Sequence, residues 1–388
     1  MKIPFHRPLF PENTIKKIET VLSSGWITTG KKTHLFEDRL CKYLNAKHVI
    51  ALNSCTSALH LGALASGLKQ KDMFIVPTYT FVSSVEIGEY IGARPLLVDI
   101  DEKTMNLDLN QVENYLKKYG QKIKTIIPVH LAGNPIKMHE LRDLSESYGC
   151  FLLEDAAHAL EAIDDGKKIG NTEDAVAFSF YANKNITTGG EGGAIATNNT
   201  ILSDKIRKLS LHGMNKGGWA RYSSQGKWSY DIGMLGYKYN LSDIASMIGL
   251  IQLEKIDFWH NKREKIAQRY NENFDLIEGI KLPPSQNNKS KHARHLYIIQ
   301  IIKEKWTIER NELIIELNNR GIGTSVHYLP IHMHSYYQKK YGFKPTDYSK
   351  SKMLFESAIS LPIFPDLKEN EISHIIDNIN ELWEKYSK

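Results

Sequence analysis

One lysine stands apart in a pattern that could hold it against a ligand. Lys184 lies between an apolar run, Val176–Phe180, and a glycine-rich turn, Gly189-Gly190-Glu191-Gly192-Gly193, after which a second apolar run begins at Ala194. Glycine permits positive φ and close backbone approach, so such a turn can place an amine beside a bound molecule, where it could form a Schiff base. An ordinary β-hairpin with a solvated lysine is the alternative reading of the same residues. The P-loop pattern is absent, which leaves nucleotide hydrolysis without support.

Three further segments carry chemistry. In Phe151–Ala157 (FLLEDAA), followed by His158, two carboxylates end an apolar strand. Buried there, they need a cationic partner. A protonated pyridine nitrogen is one candidate for Asp155, and a helix N-cap is an equal alternative. The turn Asn53–Ser57 opens a helix, where backbone N–H groups and hydroxyls make an anion site or simply a cap. Pro77–Phe81 (PTYTF) offers aromatic faces, for stacking or for the core. A Schiff-base lysine, an aspartate for a pyridinium, a phosphate cradle and an aromatic ring are together the parts that pyridoxal phosphate requires.

The elements that must position these residues alternate. Strands are predicted at His48–Leu52, Phe74–Val76, Pro95–Val98, Thr125–Val129 and Phe151–Leu153. Helices are predicted after the Asn53–Ser57 turn, from about Phe81 to Ile91, and over Asn110–Lys118 and Met138–Tyr148. Such units imply a mostly parallel sheet covered by helices, with ligands bound beyond the carboxyl ends of its strands. From Ser242 a long helical pattern runs to Phe274, a polar stretch follows at Pro283–Lys291, and a strand at His295–Ile302 precedes a final helix over Glu369–Tyr386. These features predict a large domain over residues 1–250 and a smaller α/β domain over residues 251–388.

Length and composition agree with two packed domains: 388 residues, 41% hydrophobic and 24% charged, exclude dominant disorder. A formal charge of +6 suits an anionic small molecule rather than a nucleic acid. Cys41, Cys55 and Cys150 form no CxxC pair, and no apolar run has the ~18 residues of a membrane span. With no leader-like stretch at the N-terminus, the expectation is a cytoplasmic protein with no membrane or nucleic-acid partner.

Across nearly its whole length the chain resembles the DegT/DnrJ family of pyridoxal-phosphate-dependent nucleotide-sugar aminotransferases. The resemblance runs through GWITTG (Gly25–Gly30), LNSCTSALHL, VPTYTFVSS, IIPVHLAG, EDAAHAL, FSFYANKNITTGGEGG, GYKYNLSD (Gly236–Asp243), GIGTSVH (Gly321–His327) and LPIFPD (Leu361–Asp366). GWITTG, KNIT, GYKYNL and GIGTSVH look most like the 4-aminotransferases making UDP-4-amino-4-deoxy-L-arabinose, and the GDP-perosamine synthases share much of the pattern. The implied fold is the type I, aspartate aminotransferase-like one: a large mixed, mostly parallel sheet domain with a smaller C-terminal α/β domain.

The resemblance implies roles by position. Lys184 would join the cofactor aldehyde and shuttle the proton, Asp155 would hold the pyridine nitrogen, and His158 would lie near the 3-hydroxyl. Phe81 would stack on the ring, while Ser179, Thr56 and Ser57 would hold the phosphate. Asn240 would reach that phosphate from the neighbouring subunit of a homodimer, although relatives reading GYNxR have their asparagine where this chain has Lys238. Trp26, Thr28, Trp219, Arg221, His327 and Tyr328 are the expected sugar-nucleotide contacts, with Lys216, Tyr222 and Trp228 completing a lid or a solvated loop. The histidines of HYLPIHMH allow a metal by residue type only, and no metal is expected.

The implied reaction is ping-pong transamination of a nucleotide-linked 4-ketosugar, 6-deoxy or not, by L-glutamate. The product would be a 4-amino sugar nucleotide for cell-surface polysaccharide, such as lipopolysaccharide or O-antigen. A C3-aminotransferase and a non-catalytic cofactor-binding sensor are the alternatives. Sugar dehydratases of the family replace the lysine or add a cluster on C-terminal cysteines, whereas here Lys184 is present and no cysteine follows Cys150. Two departures stand out: the TTGGEGG hairpin is one residue longer than the usual pattern, and Cys55, expected as a packing thiol, replaces a small residue.

Overall fold

The computed structural model describes residues 1–214, 231–285 and 288–388. Helices α1 (Thr14–Ser23) and α2 (Lys31–Leu44) precede an alternating series. It comprises β1 (His48–Leu52), α3 (Cys55–Ser66), β2 (Met73–Pro77), α4 (Ser83–Ile91), β3 (Arg94–Val98), α5 (Leu109–Tyr119), β4 (Ile123–Ile126), α6 (Met138–Tyr148) and β5 (Phe151–Asp155). A short ribbon of β6 (Ile163–Asp164) and β7 (Lys167–Lys168) leads to β8 (Ala175–Ser179), β9 (Gly193–Thr197) and α7 (Thr200–Leu209). After residue 231 come α8 (Asp243–Leu253), α9 (Ile256–Phe274), β10 (Ile280–Lys281), β11 (Tyr297–Ile301) and α10 (Arg310–Asn319). The chain ends with α11 (Ser335–Tyr341), α12 (Ser349–Ser357), β12 (Ala358–Leu361) and α13 (Glu369–Tyr386).

Seven strands form one sheet in the order β1-β9-β8-β5-β4-β2-β3. β9 is antiparallel to both neighbours and every other pairing is parallel, so the sheet is mixed and mostly parallel, as the sequence predicts. Both faces are buried, which is why these strands read as unbroken apolar runs. Side chains alternate between two cores: Val49 and Ala51 of β1 face one, Ile50 and Leu52 the other. A three-stranded sheet, β10-β11-β12, carries a third core that gathers Ile266, Tyr270 and Phe274 of α9 with Ile375 and Ile379 of α13.

Two expectations shift. The strand read at Thr125–Val129 pairs over Ile123–Ile126 instead, and Val129 keeps only an isolated bridge to Asp155. The helical pattern from Ser242 to Phe274 breaks at Glu254 and Lys255 without glycine or proline. The break redirects the chain: Met247, Leu250 and Trp259 pack into the first sheet core, and residues from Ile266 onward into the third. Among the described residues, no helix is long and apolar enough to cross a membrane.

Candidate active site

A cleft of about 490 Å3 opens beyond the carboxyl ends of the parallel strands. β1 delivers Ser54, Cys55 and Thr56, β2 delivers Thr80 and Phe81, and β5 delivers Asp155 and His158. Ser179 closes β8, and Tyr181, Lys184 and Glu191 follow on the connection to β9. His327 and Tyr328 complete the wall from the C-terminal third of the chain.

Lys184 is half-buried in this wall rather than solvated. Its segment is fixed at the backbone, where Lys184 N–H donates to the Tyr181 carbonyl at 3.0 Å and Ala182 N–H to Gly190 at 3.0 Å. Among the described residues its amine makes no ion pair. Burial therefore dominates and lowers its pKa from 10.5 to about 8, against the weaker pull of Cys55 and Asp155. An amine held this way has a substantial neutral fraction near pH 8.

The two carboxylates of β5 are sorted by the strand period of two. Glu154 points away from the cleft and meets His130 at 3.1 Å and Arg142 at 3.0 Å. Asp155 points into it with no ionic partner among the described residues; the Ser84 hydroxyl donates to Oδ2 at 2.6 Å and Ala157 N–H to Oδ1 at 3.1 Å. Burial raises the Asp155 pKa, while Ser84 and Ala157 oppose the shift. No helix follows Asp155, so capping does not explain it.

The start of α3 serves two ends. Ser54 caps the helix, its Oγ accepting from Ser57 N–H at 3.0 Å. The first helical residues Cys55 and Thr56 meanwhile face the cleft, so Cys55 is a wall residue rather than only a packing thiol. Burial pushes its thiol well above the ordinary range. Gly193 lets β9 approach this turn: a Cβ there would lie 2.4 Å from the Ser54 carbonyl carbon and 2.5 Å from the Cys55 nitrogen. Only glycine fits.

His158 has a defined tautomer. Ala132 N–H donates to Nδ1 at 3.2 Å, and Nε2 lies 2.9 Å from the Tyr328 hydroxyl. Burial holds the ring pKa well below 6.5, with Lys184 adding to the effect. The neutral ring thus carries its proton on Nε2 and donates it to Tyr328, whose own proton is free to serve another acceptor. His327 binds Ser360 through Nδ1 at 2.9 Å, and burial lowers its pKa to about 4.

Of the sequence-derived candidates, Thr56, Phe81, Asp155, His158, Ser179, Lys184, His327 and Tyr328 line the cleft. Phe81 is 55% exposed there, whereas Tyr79 of the same segment is core. Ser57 does not line it: its hydroxyl turns inward and donates to Asn53 Oδ1 at 2.6 Å. Trp26, Thr28 and Asn240 gather elsewhere. Trp26 Nε1 donates to the Thr29 carbonyl at 3.1 Å, the Thr28 carbonyl accepts from Asp243 N–H at 3.2 Å, and Asn240 bonds Thr29 at 2.6 Å and also Lys238. Lys216, Trp219, Arg221, Tyr222 and Trp228 lie outside the described residues. The histidines of HYLPIHMH are spread over separate partners, and no metal-holding group occurs among the described residues. Ser84, which braces Asp155, was not singled out from the sequence; its only local signal is its place one turn after Thr80, with which it shares a 2.9 Å bond.

Comparison with known proteins places nearly the whole chain among sugar aminotransferases. Residues 9–380 match the model of the DegT/DnrJ/EryC1/StrS aminotransferase family. The spore coat polysaccharide biosynthesis protein SpsC of Bacillus subtilis is 38% identical over 381 residues, covering 98% of this chain and 97% of its own. Spr1654 of Streptococcus pneumoniae, solved in its PLP form, superposes with a TM-score of 0.90 at 32% identity and 99% coverage of both chains. PseC of Helicobacter pylori, an aminotransferase of pseudoaminic acid biosynthesis, gives 0.88 at 29% identity over 99% of this chain and 100% of its own.

Proposed function

Since the chain belongs to the DegT/DnrJ/EryC1/StrS aminotransferase family, we propose that it transfers the amino group of L-glutamate to a nucleotide-linked 4-ketosugar, 6-deoxy or not. At the coarser level it is a sugar aminotransferase that uses pyridoxal phosphate. The observation that supports the reading is the pair of unpartnered charges, Lys184 and Asp155, facing one cleft.

The cleft residues fit the cofactor. Asp155 has protein donors but lacks a cation, which a protonated ring nitrogen would supply. Thr56, Ser179 and the N-terminal N–H groups of α3 suit a phosphate, and Phe81 offers an exposed ring face. Once bound, pyridoxal phosphate supplies the aldehyde that accepts and returns the amino group and the ring that spreads negative charge. Lys184, neutral in good part near pH 8, takes and returns a proton at Nζ. Asp155 keeps the ring nitrogen protonated, and Ser84 keeps Asp155 aimed. His158 and Tyr328 form a neutral donor pair that would serve the cofactor's hydroxyl. Asn240, with Thr29 and Lys238, is assigned to the partner subunit's site in a homodimer. The polysaccharide role of SpsC supports a product destined for a cell-surface glycan.

The test supplies purified protein with pyridoxal phosphate, L-glutamate and a panel of UDP-, GDP- and dTDP-linked 4-keto and 3-keto sugars. A visible absorbance band lost in Lys184→Ala, and an NMR spectrum placing the new amine on C4, are the expected results. No band in wild type would end the reading, and an amine on C3 would move the assignment to the alternative regiochemistry.

A further inference from the structure

Asn183 and Lys184 also form part of the wall of a second, much smaller cavity of about 20 Å3. Its other polar lining residues include His6 from the N-terminal arm, Arg263 from α9, and Asn185 and His295. Three buried polar atoms of this lining have no hydrogen-bond partner: His6 Nε2, Asn183 Oδ1 and Arg263 Nε. Arg263 is 2% exposed and its terminal nitrogen is engaged by Glu161.

The character of the three atoms selects their ligand. Arg263 Nε–H can only donate. Burial lowers the His6 pKa to about 4, so the ring is neutral, and with its proton on Nδ1 the unpartnered Nε2 accepts. Asn183 Oδ1 accepts as well. One donor and two acceptors match a molecule that accepts once and donates twice. An anion would meet two lone pairs and a cation would meet a guanidinium, so water alone satisfies the set. The volume exceeds the ~10–15 Å3 that one water centre needs, and three partners is the usual number for an internal water.

We propose that a single internal water, accepting from Arg263 Nε and donating to His6 Nε2 and Asn183 Oδ1, is built in behind Lys184 and fixes the segment that carries it. Asn185, on the other side of the lysine, donates to Glu161 at 2.6 Å, and Glu161 pairs with Arg263. Lys184 is therefore bracketed by two asparagines that converge on one guanidinium, one through a carboxylate and one through the water. The N-terminal arm closes the arrangement. Ile3 pairs by backbone with Gly321 at 2.7 Å and Gly323 at 2.8 Å, Phe5 lies 5.4 Å from the His327 ring, and His6 follows. The water stands independently of function; its positioning role rests on Lys184 being the reactive amine.

The test uses the full chain without cofactor, comparing His6→Leu, which loses the acceptor, with His6→Gln, which keeps one. Crystals of wild type and His6→Gln should show a density peak within hydrogen-bond distance of the three positions, and His6→Leu should not. The amine of Lys184 is then labelled with an amine-reactive ester across a pH series and read by peptide mass spectrometry. Wild type and His6→Gln should share a midpoint near pH 8, and His6→Leu should label about fivefold more slowly there as its midpoint rises by about one unit. Should His6→Leu fail to fold, Asn183→Leu removes the other acceptor and carries the same expectation. A wild-type cavity without the peak, or a midpoint unmoved in the leucine variants, would overturn the proposal. A wild-type midpoint above pH 10 with the peak present would defeat the reactive-lysine reading and leave the water site supported.

Discussion

Two groups of buried charge in the same sheet domain are treated in opposite ways. Around the start of α2, two buried carboxylates are satisfied from within. Glu37 takes Arg207 at 3.2 and 3.1 Å and the Ala51 amide at 2.9 Å, and Asp243 accepts from the Gly30, Lys32 and Thr33 amides at 2.7, 3.1 and 2.9 Å. In the cleft, among the described residues, Asp155 accepts two hydrogen bonds where Asp243 accepts four, and neither Asp155 nor Lys184 makes an ion pair. Charge buried for architecture brings its partner along, whereas charge buried for chemistry awaits one. Glu154 and Asp155, adjacent on β5, repeat the contrast at the smallest scale.

That contrast can be broken most forcefully on β5. Asp155→Asn should lower kcat about 10^3-fold, about 4 kcal/mol of barrier, with the melting temperature of the cofactor-free protein unchanged or raised. Glu154→Gln should do the reverse, removing about 3 kcal/mol of stability while kcat of the folded enzyme stays within about threefold, because it strips a buried pair rather than the site. Paired kinetics and urea unfolding read both arms; equal effects at the two positions would erase the distinction.

A second experiment sharpens it through pH. Because burial lowers the Lys184 pKa from 10.5 to about 8, the unfolded chain binds more protons than the folded one between those values. Stability therefore rises with pH across that window, and the lysine weighs most against folding below pH 8. Lys184→Met should be more stable than wild type at pH 7 by up to about 3 kcal/mol, and the gap should close by pH 10.5. Urea unfolding of both cofactor-free proteins at pH 7, 9 and 10.5 checks the slope. The smallest effect is expected at Tyr328→Phe, which deprives the His158 Nε2 proton of its acceptor. A loss of about 1–1.5 kcal/mol in stability and about tenfold in kcat is expected.

Much of this arrangement could be read from residue order because it is local. His48–Leu52 and Met138–Tyr148 begin and end where the apolar spacing says, Asp155 and Ser179 end the strands that present them, and Lys184 stands just past β8. What escaped is what sequence distance hides. Ser84 braces a carboxylate 71 residues away, and the Tyr328 hydroxyl meets His158 at a separation of 170. Thr56 and Ser57 show a subtler limit. Neighbours on a helix point about 100° apart, so only one faced the cleft, and capping rather than composition decided which. The break between α8 and α9 lacked any glycine or proline signal because packing against two cores imposes it.

β9 is the lone strand running against its sheet, and it returns directly beside β8, with Ser179 opposite Gly193. The connection bearing the lysine is thus a loop moored at both feet, stitched again where Tyr181 bridges Gly190. Gly189 and Gly190, both at positive φ, lie at that second tie, where Ala182 N–H donates to the Gly190 carbonyl. Lys184 is thereby borne on a short span tied at two levels, so the sheet itself sets the station of its amine.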